Sequence, residues 1–242
     1  MRRLTADAND FSGQVVVITG GAGGLGREIA MMAASRGAAV GVIDLDIPPV
    51  GDPDDDAEAA GVTTELTRLG AQFVGIPTDV THGAAVQAAI DTIGTELGPI
   101  TGLVTAAGGR MVPNVPPSER LGPEADQLAS CIDVDRARRV FEVNVLGMMN
   151  SVNAVAPGMK AQKRGRIVTI ASVNGIHPRP YGSHADYAAA KAAVIQYTRY
   201  LAADVGRFAV TANCLAPGLA LTEKSRDRYE GEPELTSTLA LD

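Results

Sequence analysis

The sequence predicts an α/β fold with a parallel, doubly wound sheet. Short β-branched runs alternate along the chain with longer segments of helical periodicity, a pattern typical of parallel sheets with helices on both faces. A glycine-rich turn follows the first apolar run, where such folds bind phosphate groups. The chain has 242 residues, 45% of them hydrophobic, so we expect one large core and a single domain over residues 1–242.

The first unit is a strand, a glycine-rich turn, a helix, a second strand and an acid. We expect strands at Val15–Ile18 and Ala39–Ile43, joined by a helix at about Leu25–Arg36. The free N–H groups at the start of that helix favour a pyrophosphate, and Asp44 stands where a carboxylate accepts hydrogen bonds from an adenosine ribose. Two overlapping glycine patterns fit the turn, Gly21, Gly23 and Gly26 in one frame and Gly20, Gly24 and Gly26 in the other. The unit therefore predicts a dinucleotide-binding site.

The rest of the chain alternates in the same way, which predicts a Rossmann-type sheet of order 3-2-1-4-5-6. The further predicted strands are Gln72–Ile76, Ile100–Ala106, Arg166–Ser172 and Ala209–Leu215. The further predicted helices are Ala57–Leu69, Gly83–Leu97, Asp135–Val155 and Tyr187–Val205. Outside them we expect a loose lead-in at 1–13, an acidic loop insertion at 45–56 and a long connection at 110–131.

Composition excludes several kinds of function. A net charge of -7 disfavours a nucleic-acid surface, and no apolar run is long enough to cross a membrane. Cys131 and Cys214 show no disulfide or zinc spacing, which suits a reducing cytoplasm. The histidines show no metal-ligand spacing either, so we expect no metal. His177 and His184 either line a substrate mouth or, as we expect, are exposed loop residues.

Tyr187 and Lys191 stand four residues apart, on one face of a predicted helix. A cation about 5 Å from a phenol, at an effective dielectric near 20, favours the phenolate by about 3 kcal/mol, or roughly two pKa units. We therefore expect Lys191 to lower the pKa of Tyr187 towards neutrality, where a phenol exchanges protons with a substrate oxygen. Solvated helix faces carry such pairs by chance, so the pair alone does not identify a site.

Ser172 and Asn144 are further polar candidates. Ser172 ends the fifth predicted strand, at the sheet edge where ligands bind, and either holds a substrate oxygen beside Tyr187 or caps a helix. Asn144 lies on an otherwise apolar helix face and is either a satisfied core amide or the residue that orders a water leading to Lys191.

Two strand ends carry residues that suit a cofactor. Asp79 follows the third strand and either reaches an adenine or, with Thr81 as the other candidate, caps the helix from Gly83; both interpretations are compatible. The small residues of 106–109 follow the fourth strand and let a cofactor lie against the backbone.

In order and spacing, the chain resembles the classical short-chain dehydrogenase/reductase family over about residues 12 to 222. The matching positions are Gly20, Gly24, Gly26, Asp79, Val80, Asn144, Ser172, Tyr187, Lys191, Pro217, Gly218 and Thr222. The resemblance implies hydride transfer between a nicotinamide cofactor and a secondary alcohol or ketone. It implies a tetrad of Asn144, Ser172, Tyr187 and Lys191, with Tyr187 as the general acid/base, Ser172 holding the oxygen and Lys191 also binding the nicotinamide ribose.

The implied cofactor site gathers residues from several strand ends. Its members are Gly20, Gly24, Leu25, Gly26, Asp44, Asp79, Val80, Ala107, Gly108, Tyr187, Lys191, Pro217, Gly218, Leu219 and Thr222. Asp44 repels a 2′-phosphate, and the turn from Gly20 to Gly26 has no basic residue to offset that repulsion, so we expect NAD rather than NADP. Arg27 follows the last glycine, and we expect it on the helix surface.

The chain departs from the family pattern in two places. Thr105 to Gly108 replaces the usual Asn-Asn-Ala-Gly, which removes an amide that ties strands together. Residues 223–242 form a short, charged tail without the pattern of a seventh strand, so the sequence leaves open whether the family's substrate lid and one of its interfaces are complete. A second function therefore stays open, a non-catalytic dinucleotide-binding sensor or assembly subunit. The resemblance also implies a homo-dimer or homo-tetramer, and the substrate is not specified beyond a small alcohol or ketone.

Overall fold

The structure is a computed structural model that describes residues 10–51, 61–110, 128–179 and 182–218. Its centre is a sheet of six parallel strands in the order β3-β2-β1-β4-β5-β6. The strands are β1 Val15–Thr19, β2 Ala39–Asp44, β3 Phe73–Pro77, β4 Gly102–Thr105, β5 Gly165–Ile170 and β6 Val210–Leu215. The predicted fold class and strand order are confirmed, and the fourth strand is shorter than predicted.

Helices connect the strands. They are α1 Gly24–Ser35, α2 Val62–Arg68, α3 Gly83–Leu97, α4 Val134–Phe141, α5 Gly147–Gln162 and α6 Ala185–Gly206. The segment predicted as one helix over 135–155 is α4 and α5 joined by a π-helical turn, Glu142–Leu146, and it continues to Gln162. The start of the helix predicted from Ala57 lies outside the described residues.

Successive strand residues face opposite sides of the sheet and separate two cores. Val17, with Leu103 and Ile167, belongs to the core that α3, α5 and α6 cover. Ile18 belongs with Val40 to the core under α1 and α2. Because both faces are covered, the central strands are apolar along their length, as in other parallel sheets.

The carboxyl ends of the strands form one edge, and the chain is tightly packed there. Gly20 turns away from β1 with φ 71°, and a Cβ built on it would lie 2.5 Å from the backbone nitrogen of Ala107. Only glycine permits this approach without strain. The glycine-rich turn therefore lies directly beside the end of β4. None of the helices in the described ranges is long and apolar enough to cross a membrane.

Candidate active site

Helix α6 brings Tyr187 and Lys191 to the carboxyl edge of the sheet. Lys191 is 5% exposed, and its Nζ donates to the carbonyl oxygen of Ile170 at the end of β5, 2.9 Å away. The same Nζ lies 5.6 Å from the centroid of the Tyr187 ring. The predicted pairing on one helix face is therefore present, with the ammonium over the ring.

The electrostatic prediction for Tyr187 is wrong in this structure. Burial raises the pKa of Tyr187 above its ordinary value, while a hydrogen bond with Ser172 and the charge of Arg110 act in the opposite direction. Burial also lowers the pKa of Lys191 to about 8. Desolvation therefore disfavours the charged form of each residue.

Ser172 caps the turn that follows β5, which is one of the two roles that the sequence left open. It precedes a short 3₁₀ turn, Val173–Gly175, and its Oγ accepts from the backbone nitrogen of Asn174 at 3.3 Å. Its hydroxyl also acts on the Tyr187 phenol, whose pKa it lowers against the effect of burial. The nitrogen of Val173 donates to the carbonyl oxygen of Pro217 at 3.0 Å, so the segment after β6 lies beside the serine.

Asn144 is a satisfied core amide. It is 1% exposed and lies in the π-helical turn, a type of turn that often occurs at functional sites. Its Nδ2 donates to Val140 O at 2.8 Å and to Gly109 O at 2.9 Å, and its Oδ1 accepts from Gly109 N at 3.1 Å. A Cβ built on Gly108 would lie 2.5 Å from Asn144 Oδ1 and 3.5 Å from Lys191 Nζ. The amide and the ammonium therefore meet around Gly108.

Asp44 lies against the glycine-rich turn. Its Oδ2 accepts from Ala22 N at 3.0 Å, and its Oδ1 accepts from Leu45 N at 2.8 Å. Arg27 is not simply a surface residue: its Nε donates to Glu65 at 2.8 Å, and only 14% of its side chain is exposed. Asp44 is therefore bound to the turn, and Arg27 joins α1 to α2.

Asp79 closes the turn before α3, but it is not the helix cap. The N-cap residue is His82, which makes no side-chain capping bond, so the expectation for Asp79 or Thr81 is wrong. Asp79 Oδ1 accepts from Thr81 N at 2.9 Å and from its hydroxyl at 2.8 Å, and the backbone hydrogen bond is the main reason that the pKa of Asp79 is lowered. Val80 is 5% exposed and packs in the core.

A group of charged residues near Tyr187 was not predicted. Arg110 Nη1 lies 2.9 Å from His184 Nε2, and His184 is half-buried rather than an exposed loop residue. Arg136 in α4 binds Asp186 in α6 with an Nη2–Oδ2 distance of 3.0 Å, and both residues are buried. Asp186 Oδ1 also accepts from Tyr187 N at 2.8 Å. One local feature of the sequence pointed to this group: Arg110 directly follows the small residues 106–109, which come after β4.

Two predicted cofactor contacts, Leu219 and Thr222, lie outside the described residues. Cys131 and Cys214 are free, and the described part of the chain contains no cluster of three or more metal-ligating side chains.

The comparisons of this chain with known proteins agree on one family. The family described as "short chain dehydrogenase" matches residues 14–233. A cyclohexanol dehydrogenase from Rhodococcus sp. (strain TK6) is 37% identical over 215 residues, which are 87% of this chain and 75% of that protein. A 3-oxoacyl-[acyl-carrier-protein] reductase from Escherichia coli (strain K12) is 30% identical over 217 residues, 90% of this chain and 78% of that protein.

A solved structure is also similar to this chain in fold and sequence. The crystal structure of a 3-oxoacyl-[acyl-carrier protein] reductase with bound NAD from Brucella melitensis has a TM-score of 0.71 and is 32% identical. The match covers 94% of this chain and 75% of the other chain.

Proposed function

This chain belongs to the short chain dehydrogenase family, and we propose that it transfers a hydride between NAD(H) and a secondary alcohol or ketone. The observation that supports this most is the meeting of Tyr187, Ser172 and Lys191 at the carboxyl edge of the sheet, next to the glycine-rich turn. Ligands bind at this edge in open α/β sheets. The nicotinamide cofactor, when bound, supplies or accepts the hydride.

Tyr187 is the proposed general acid and base. In ketone reduction its phenol donates a proton to the carbonyl oxygen as the carbon is reduced, and burial keeps the phenol protonated near neutral pH. The Ser172 hydroxyl donates a second hydrogen bond to the same oxygen. In alcohol oxidation the phenolate accepts the hydroxyl proton, so the oxidative rate rises with pH.

The residues around the glycine-rich turn fit a dinucleotide. A Cβ built on Gly23 or on Gly24 would meet no described atom within 4 Å, so the outer side of the turn has space for a pyrophosphate. The first turn of α1 contains no acidic residue, and its N-cap is Gly23, which has no side chain to cap the helix. The helix therefore presents backbone N–H groups and a positive dipole end to a phosphate.

Asp44 supports NAD rather than NADP. Hydrogen bonds from Ala22 N in the turn and from Leu45 N fix its carboxylate. An acid at this position in the fold accepts from the adenosine ribose, and a 2′-phosphate there would meet its negative charge. The nearby cation, Arg27, is bound to Glu65, which offsets its charge. From the family and from the binding of ligands at the carboxyl edge of the sheet, we also propose that Lys191 binds the nicotinamide ribose and that Asp79 lies at the adenine.

We also propose a homo-oligomer. Phe141, the last residue of α4, is 36% exposed, and Leu146, at the end of the π-helical turn, is 51% exposed. Apolar side chains on a helix pair beside the site suit a two-fold interface, because the same face can bury itself against a second copy. Light scattering on the purified chain measures the mass directly.

The decisive experiment compares Tyr187→Phe with Tyr200→Phe. Tyr200 lies on the same helix, and 71% of it is exposed, so it is a matched control. We expect Tyr187→Phe to bind NADH like the wild type and to lose about 10²- to 10⁴-fold in turnover of secondary alcohols. Tyr200→Phe should keep both properties. If the wild type binds NADH but neither oxidises an alcohol nor reduces a ketone, the protein is instead a non-catalytic dinucleotide-binding subunit.

A further inference from the structure

Asn150 in α5 binds the turn that carries Asp79. Its Nδ2 donates to Val80 O at 2.9 Å and to Thr81 O at 3.3 Å. An amide nitrogen has two hydrogens to donate, and both partners here are carbonyl oxygens, so the nitrogen and not the oxygen of the side chain faces the turn. One half-buried side chain therefore holds two successive residues of the segment between β3 and α3.

The two carbonyl groups precede the hydrogen bonds of α3. The N-cap of that helix is His82, whose carbonyl oxygen accepts from Val86 N at 3.0 Å. An N-cap carbonyl accepts the first bond of a helix, so the carbonyls of Val80 and Thr81 lie outside its ladder. Asn150 supplies donors to them from another helix. The turn is therefore tied to α5 and not only to α3.

Hydrogen bonds within the turn converge on Asp79. His82 N donates to Asp79 O at 3.1 Å, and Asp79 Oδ1 accepts from Thr81 N at 2.9 Å and from the Thr81 hydroxyl at 2.8 Å. The side chain of Asp79 is 42% exposed, so a ligand can reach the carboxylate. Because Thr81 binds Oδ1 and Asn150 binds the carbonyl of Thr81, the orientation of the carboxylate depends on Asn150.

The start of α5 also packs against this turn. A Cβ built on Gly147, the first residue of α5, would lie 2.5 Å from Val80 Cγ2. Asn144, in the π-helical turn directly before α5, binds the backbone of Gly109 after β4. The segment from Asn144 to Asn150 therefore contacts the chain after β3 and the chain after β4, at two places along the carboxyl edge of the sheet.

Resting on the function proposed above, we propose that Asn150 is a positioning residue for the cofactor, which holds the turn from Asp79 to His82 so that Asp79 accepts a hydrogen bond from the amino group of the adenine. Asn150 acts through Asp79 and not by a contact of its own with the cofactor. The adenine amino group is a donor, and an ionised carboxylate is the stronger kind of acceptor for it. The bond from Thr81 N lowers the pKa of Asp79 below its ordinary value, which favours that ionised form.

A purely structural role for Asn150 is the alternative. An asparagine that only joins α5 to the start of α3 stabilises the fold, and its removal weakens the binding of every dinucleotide alike. A residue that positions Asp79 changes the preference between two dinucleotides that differ at the adenine amino group. The preference therefore separates the two roles.

The experiment compares NADH with reduced nicotinamide hypoxanthine dinucleotide, which carries a carbonyl oxygen in place of the adenine amino group. Calorimetry on the full chain gives the Kd of each. We expect the wild type to bind NADH about tenfold more tightly, because the carbonyl oxygen cannot donate to Asp79. Asn150→Ala should raise the Kd of NADH by about three- to tenfold and change that of the hypoxanthine analogue by less than about twofold.

Asn153→Ala is the matched control. Asn153 is exposed and lies nearly one turn further along α5, so the same substitution there removes no contact with the turn. It should change neither Kd. Alanine only deletes atoms and has the highest helix propensity, so we expect both variants to fold.

A double variant tests the route through Asp79. Asp79→Ala removes the carboxylate, so the preference for NADH should disappear. Adding Asn150→Ala to this variant should then leave the Kd of NADH within about twofold, because the residue on which Asn150 acts is already absent. If Asn150→Ala weakens NADH binding as much without Asp79 as with it, the proposed role of Asn150 is overturned.

The outcomes separate this inference from the proposed function. If secondary alcohols turn over but the wild type binds both dinucleotides equally, or if Asn150→Ala weakens both equally, the positioning role is overturned and the dehydrogenase function stands. If no alcohol or ketone turns over, the binding measurements still decide, since they require no reaction. A preference for NADH that Asn150→Ala reduces then supports the inference. If the wild type binds neither dinucleotide, the inference and the proposed function are both overturned.

Discussion

Replacing Lys191 by methionine tests whether burial of the Lys191 ammonium lowers the free energy of unfolding. Lys191 is 5% exposed, and its Nζ donates to Ile170 O at 2.9 Å. Burial lowers its pKa from 10.5 to about 8. Methionine fills much of the same space without a charge, so the comparison isolates the titration of this one group.

The sign follows from the two pKa values. Because the native pKa lies below the unfolded one, the unfolded state binds more protons between about pH 8 and pH 10.5, and the free energy of unfolding rises with pH in that window. At about 1.4 kcal/mol for each pKa unit, burying the ammonium costs about 3 kcal/mol. The full cost is present below about pH 8 and disappears as the pH approaches the unfolded pKa.

Urea unfolding at about pH 7 and about pH 9.5 measures this dependence. Relative to Lys191→Met, the wild type should gain about 2 kcal/mol in free energy of unfolding between these two pH values. Other titrating groups cancel in the difference. Lys163→Met, at an exposed position, should show no such dependence. Parallel stability curves for the wild type and Lys191→Met refute the desolvation argument.

Three further predictions concern the cofactor turn and the start of α6. Asp44→Ala should lower kcat/KM for NAD by about tenfold or more and raise the ratio of NADP to NAD activity, because two ribose acceptors and a repulsive charge are lost. Gly20→Ala should lower the free energy of unfolding, measured by thermal unfolding, by about 2 kcal/mol or more, because φ is 71° and the new Cβ would lie 2.5 Å from a backbone atom. Gly23→Ala is the control: its Cβ would meet open space, so it should cost less. Arg136→Met should lower the free energy of unfolding in urea by about 3–5 kcal/mol, because Asp186 stays buried without this partner. Adding Asp186→Asn should recover part of the loss. If the effects of the two substitutions are fully additive, the pairing is contradicted.

The strands and their order were predictable because they depend on local pattern. A buried parallel strand needs a short β-branched run, and Val15–Thr19 has one with glycines directly after it. The right-handed crossover rule then limits how the strands can be arranged. The fourth strand was predicted too long because Thr101, although buried, contributes a side-chain hydrogen bond to Val15 and precedes the regular ladder.

The pKa of Tyr187 was not predictable from spacing. A four-residue separation placed Lys191 near the ring, which the structure confirms. The spacing carried no information about burial, and burial is the largest influence on both the phenol and the ammonium. It also did not reveal that Nζ donates to Ile170. Local periodicity fixes which side chains are neighbours, whereas their protonation depends on everything that packs over them.

The contacts that surround Tyr187 join positions far apart in the chain. Arg110 and His184 are 74 residues apart, and Arg136 and Asp186 are 50 apart. Neither pair has a spacing that a helix or strand pattern would indicate. Yet the position of each residue has a local cause: Arg110 follows the small residues after β4, and Asp186 precedes the catalytic candidate. In a parallel sheet, all residues that directly follow strands converge on one edge. A charged residue in such a position can therefore lie beside the candidate site even when it belongs to no motif.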